Sequence, residues 1–163
     1  MYIEGINPNT TYLSGVLESP VPFALGTRGL DQLGNEYVFG QAVAASTNGG
    51  VCFYVPGVWT MTLLSTANDA VDQFIAVAKA TLVINEYGWF QRYGPCPVQT
   101  SGATAIQLPV LATAAAGVVT TSATLTGLFP IRGMVALQTG QVLPLLTNYG
   151  LTYPLAAPVV AIA

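Results

Sequence analysis

Histidine does not occur in this 163-residue sequence. Its absence removes the usual Ser-His-Asp arrangement, the commonest general base and the commonest nitrogen ligand of metals. Lysine occurs once, at Lys79, and no phosphate-cradling GK[ST] loop, GxSxG elbow or GxGxxG fingerprint is present. Two cysteines, Cys52 and Cys96, are too few for a four-ligand zinc site without histidine. Nothing marks the chain as exported, so they are expected as free thiols in a reducing compartment. On the same ground the sequon Asn9-Thr10-Thr11 is taken as coincidence.

Charge is the second scarcity. Four basic and seven acidic residues make 7% of the chain, against about 25% in an ordinary soluble domain. Four cations are too few for a nucleic-acid footprint, so no nucleic-acid partner is expected. No unbroken run of about 18 apolar residues offers a spanning helix. The opening MYIEGINPNTTY lacks the basic and apolar regions of an export signal, and a membrane β-barrel would need that signal and a polar lumen. No membrane is therefore expected. With 52% hydrophobic residues, the surface has too little charge to coat a free globule, so burial against other protein is the expectation.

What the chain does have is β pattern, centred on Leu82–Pro95 (LVINEYGWFQRYGP). Asn85-Glu86-Tyr87-Gly88 has turn chemistry, and Trp89, Gln91 and Tyr93 then alternate with Phe90 and Arg92. Gly94-Pro95 is expected to stop that strand. Further strands are expected at Glu36–Ala42, Val51–Val55, Val58–Leu63, Phe74–Ala80, Thr104–Leu108, Val110–Thr113, Val118–Thr121, Ile131–Leu137 and Val142–Leu146, separated by Gly, Pro and Asn turns. Strands at this spacing predict an all-β fold, a small barrel or jelly-roll-like sandwich. Residues 1–22 read as an N-terminal arm, either laid across a neighbouring subunit or loosely ordered. Residues 23–147 form the β core. Residues 148–163 are an apolar tail without charge, docked on its own barrel or on a neighbour.

Carboxylates supply few candidates. Asn68, Asp69 and Asp72 lack the spacing of a calcium loop and read as a solvated turn. Glu36 and Glu86 would act as a glycosidase pair only if the fold joined them. No catalytic residue, metal or cofactor is expected. Arg28, Arg92 and Arg132 stand among apolar residues or glycine, suited to pairing with a partner's carboxylate or within the chain. With the aromatic and apolar residues of arm, loops and tail, they give nine interface candidates: Tyr12, Leu13, Arg28, Trp59, Tyr87, Trp89, Arg92, Arg132 and Tyr153.

Five segments carry a resemblance: EYVFGQA (36–42), FIAVAKA (74–80), NEYGWFQRYGP (85–95), PIRGMVAL (130–137) and QVLPLL (141–146). In that order, with an Ala/Thr/Gly stretch ending near Val119, they resemble the head decoration or cement proteins of tailed bacteriophages. Those carry a YGW-Q-x-x-G segment and a late G-x-A-L strand, from which Gly133-Met134-Val135-Ala136-Leu137 departs slightly. The likeness covers roughly residues 23 to 147. It implies an all-β structural protein of the virion, assembled in the host cytoplasm, without catalytic activity. Such a protein sits on the outer face of an icosahedral capsid and bridges major capsid protein subunits as a dimer or trimer. The alternative is a virion-surface module, a fibre or receptor- or glycan-binding component, using Trp59, Tyr87 and Trp89.

Overall fold

The structure, a computed structural model, describes residues 2–13, 21–67, 73–106, 108–123, 129–137 and 146–156. Every element among them is a strand: β1 (Tyr2–Glu4), β2 (Arg28–Leu30), β3 (Glu36–Ala42), β4 (Val51–Tyr54), β5 (Thr60–Leu63), β6 (Phe74–Ala78), β7 (Tyr87–Gln99), β8 (Val110–Ala112), β9 (Val119–Thr121), β10 (Phe129–Ala136) and β11 (Leu146–Ala156). The fold is all-β.

Five strands close into a barrel in the order β3-β5-β4-β6-β7 and back to β3. Its pairs are antiparallel except β3–β5, where Gln41 and Ala42 face Thr60 and Met61 in parallel. Closure removes the free edges that a sheet of short strands would otherwise expose. The barrel interior holds Val38, Ala42, Tyr54, Met61, Ala76, Ala78, Leu82 and Phe90. A second group of strands grows from the far half of β7: β11 pairs with Tyr93–Gln99, β10 with β11, β8 with β10 and β9 with β8. A parallel bridge from Thr100 to Val119 brings β9 back to the end of β7. Val98, Val110, Val119, Ile131, Met134 and Tyr149 fill the space between, packed on Val51, Ile75 and Val77 of the barrel. β7 therefore serves both halves.

Two irregularities shape β7. Tyr37 faces Gln91 and Glu36 faces Tyr93, so Arg92 is the extra residue of a bulge, a device that re-aims a side chain. Gly94-Pro95 does not end the strand, contrary to the turn rule. Gly94 takes φ +94° and the strand continues, with Pro95 facing Gly150 and Pro97 facing Asn148 of β11. The carbonyls of Tyr93 and Pro95 accept from the buried Gln91 amide at 3.0 and 2.9 Å. A residue's N–H points to the same side as its carbonyl, so the N–H that Pro95 lacks would have pointed away from β11. Proline is tolerated where the ladder asks nothing of it.

Other expectations shift in detail. Of Thr104–Leu108, the described residues are not strand; Ala105 N instead donates to Thr121 Oγ1 at 2.8 Å. The strand expected from Val58 begins at Thr60, because Trp59 sits at φ +59° in the preceding turn. The expected boundary at 147 falls within β11, and residues 148–156 lie in the sheet. Residues 157–163 and most of Val142–Leu146 lie outside the described residues, as do Asp69 and Asp72. In the arm, β1 pairs in parallel with β2, Tyr12 bridges Tyr87, and Ile6 and Tyr12 pack on Tyr37, Phe39 and Trp89 of the same chain.

Candidate interaction surface

The bulge at Arg92 turns a guanidinium into the protein. Arg92 is buried, 5.3 Å from the ring centre of Tyr153 and 5.9 Å from those of Tyr54 and Phe74. A cation held over ring faces gains from their negative quadrupole. Its counter-charge is Glu36, whose Oε1 lies 3.7 Å from Arg92 and 3.9 Å from Arg28. Glu36 Oε2 accepts a hydrogen bond from Tyr153 at 2.9 Å. Tyr153 sits at φ +50°, rare for a bulky residue, in the part of β11 that bulges opposite Gly133. Its ring stacks on Tyr93 at 5.6 Å between centres. Three of the nine interface candidates, Arg28, Arg92 and Tyr153, thus meet at one carboxylate, paired within the chain.

The remaining six disperse. Trp89 is buried in an aromatic cluster, 5.1 Å from both Phe39 and Phe23, with Tyr12 and Tyr87 half-buried at its margin. Core burial removes Trp89 as a surface platform. Trp59 stacks on Tyr54 at 5.6 Å and lies over Gly26, where any Cβ would strike its indole. Leu13 and Arg132 are exposed. Among the described residues no ion pair joins Arg132.

Beside the Glu36 cluster lies an open groove of about 300 Å³, lined by Leu33, Asn35, Tyr93, Pro95, Val135, Leu137, Thr152 and the glycines between them. Leu33 is 87% exposed, Val135 57%, Leu137 51% and Tyr93 42%. Ile131, Met134 and Ala136 point inward, so Arg132, Val135 and Leu137 occupy the outer side of β10. The rim turn that carries Leu33 is held by Asp31, whose Oδ1 accepts from Leu33 N and Asn35 N and whose Oδ2 accepts from Asn35 Nδ2 and Tyr37 OH at 2.7–3.0 Å. Burial pushes the Asp31 carboxyl up, but these four hydrogen bonds outweigh it and hold it below its ordinary value. Burial, reinforced by the same contact with Asp31, pushes the Tyr37 phenol far up.

Sequence reasoning passed over Leu33, Tyr93, Val135 and Leu137. A leucine placed in a turn, Leu33 before Gly34-Asn35, was the one signal the sequence offered.

Glu36 and Glu86, the carboxylate pair considered from sequence, do not come together. Glu86 Oε2 caps its own turn through Val83 N at 2.7 Å. It lies beside Ala42, the far end of β3 from Glu36, about 20 Å along a strand. Glycosidase carboxyls stand about 5–10 Å apart. Among the described residues no three His, Cys, Asp or Glu side chains gather as a metal site. Cys52 and Cys96 are free and buried, and burial pushes both thiols up to about 12. Compared with known proteins, the sequence matches no family model and no curated protein.

Proposed function

We propose that this chain is a non-catalytic structural protein that binds the outside of an icosahedral phage capsid and cements neighbouring subunits. The observation that carries the reading is a face with large exposed apolar side chains and a groove without a charged lining, on a chain of only 7% charge. Tyr93 lines that groove with Tyr153 stacked on it, and Tyr is enriched in protein contacts where Lys and Glu are depleted. The segment resemblance to head decoration proteins supplies the partner class, the major capsid protein, and the self-association as dimer or trimer. A clamp that binds the assembled shell and not the free subunits stabilises the shell by mass action.

Quantitative mass spectrometry of purified particles tests the reading. The expected result is a copy number comparable with the shell subunit. A few copies per particle would assign the chain to a fibre or receptor-binding device, and none would remove it from the virion.

A further inference from the structure

Asn48-Gly49 is the chain's single asparagine–glycine pair; every other asparagine is followed by a residue with a side chain. Glycine leaves its own nitrogen unshielded, so that nitrogen can reach the carbonyl carbon of the preceding asparagine side chain. We propose that Asn48 is a modification site, losing its side-chain amide by intramolecular attack, and that the folded turn is the lock on this reaction. It holds whether or not the chain sits on a capsid.

The chemistry needs water alone. Gly49 N loses its proton and bonds to Asn48 Cγ, the Cγ–Nδ2 bond breaks, and the nitrogen leaves as ammonia. Water then opens the resulting succinimide at either carbonyl. One opening gives aspartate. The other gives isoaspartate, in which the backbone runs through the former side chain and gains a methylene. Nothing is oxidised or reduced.

Two features of the fold hold the first step back. Asn48 is exposed, but Gly49 is buried and its N–H donates to Ala78 O at 2.8 Å, so the nucleophile is capped. Backbone geometry supplies the second. Gly50 N donates to Thr47 O at 2.9 Å, Gly49 has φ +84° and Asn48 is not at positive φ, which defines a type II turn. Asn48 there has ψ about +120°, and closing the ring needs Asn48 Cβ eclipsed with Gly49 N, about 120° of rotation away. Gln99, the last residue of β7, clips the turn from outside. Its N–H donates to Gly49 O at 2.9 Å, and its side-chain amide donates to Thr47 Oγ1 and, at 3.3 Å, to Asn48 O. Reaction therefore waits on opening of residues 47–50. Isoaspartate lengthens the backbone just ahead of β4, so the turn cannot close again with its old register.

The test compares the full folded chain with the peptide acetyl-Ser-Thr-Asn-Gly-Gly-Val-amide in one buffer. Peptide mapping by mass spectrometry follows conversion at Asn48, and hydrogen exchange follows the Gly49 amide. The expected result is conversion at least about tenfold slower in the folded chain, slowed by no less than the protection of the Gly49 amide. Unfolding in urea should restore the peptide's rate. Gln99→Ala, which removes the side-chain clip, should speed conversion and Gly49 exchange together, by about threefold or more. Conversion in the folded chain at the peptide's rate, conversion that outruns Gly49 exchange, or none at Asn48 after unfolding would overturn the proposal. So would earlier loss of the amide at another asparagine, or a Gln99→Ala chain in which one rate moves without the other.

Discussion

At Gly94 a Cβ would collide with Asn35 Oδ1, and φ is +94°. Gly94→Ala should cost about 1–3 kcal/mol, the usual range for a side chain forced into that region, read as a lowered urea midpoint at constant slope. Asp31 sets a pH dependence. Its folded value is depressed, so its contribution is present above the unfolded value of about 4 and is lost as pH falls through the lower folded value. Asp31→Asn should therefore lower stability at pH 7 by ~1 kcal/mol and converge on wild type in acid, measured by urea unfolding at pH 7 and pH 3. Tyr153→Phe removes the hydrogen bond to Glu36 and should cost ~1–2 kcal/mol. Arg92→Met takes the nearer and more buried of two arginines from Glu36, leaving Arg28 and Tyr153, and should cost more, ~3 kcal/mol, the low end for breaking a buried pair. If the two variants proved equal in thermal unfolding, the ion pair would carry no weight. Cys52 and Cys96 should stay silent to a thiol reagent at pH 8 until the chain unfolds, because burial keeps both protonated.

Among elements, most strands were legible because alternation and turn residues act locally: β3, β4, β6 and β9 fall within a residue or two of their expected bounds. What failed was non-local. Gly94-Pro95 read as punctuation because a proline's cost depends on which side of the strand its missing N–H would face, and only the partner strand reveals that. Scarcity of charge pointed to Arg28 and Arg92 and the apolar tail to Tyr153, but their convergence on Glu36 comes from a bulge in β7 and another in β11. Val135 and Leu137 looked like ordinary strand hydrophobics, since a period of two separates faces without saying which is covered. The prolines also suggest a trial. Pro95→Thr with Pro97→Thr would restore two N–H groups on the side away from β11, and should promote edge pairing. Light scattering at raised concentration would show growth that the parent chain lacks; equal scattering would leave the prolines without that role.

For the molecule as a whole, scarcity of charge leaves large apolar groups exposed around the groove and also at Leu13, Val58, Val83 and Ile84. Histidine is missing from the chain, and both thiols are buried.

The thirteen residues of β7 run through both strand groups, pairing with β3 as far as Tyr93 and with β11 from Tyr93 on. Neither can come apart without tearing the other's longest seam. Heating should accordingly give one calorimetric peak whose van't Hoff and calorimetric enthalpies agree. A load applied to one half would be felt by the other through a single backbone, as through a shared tendon.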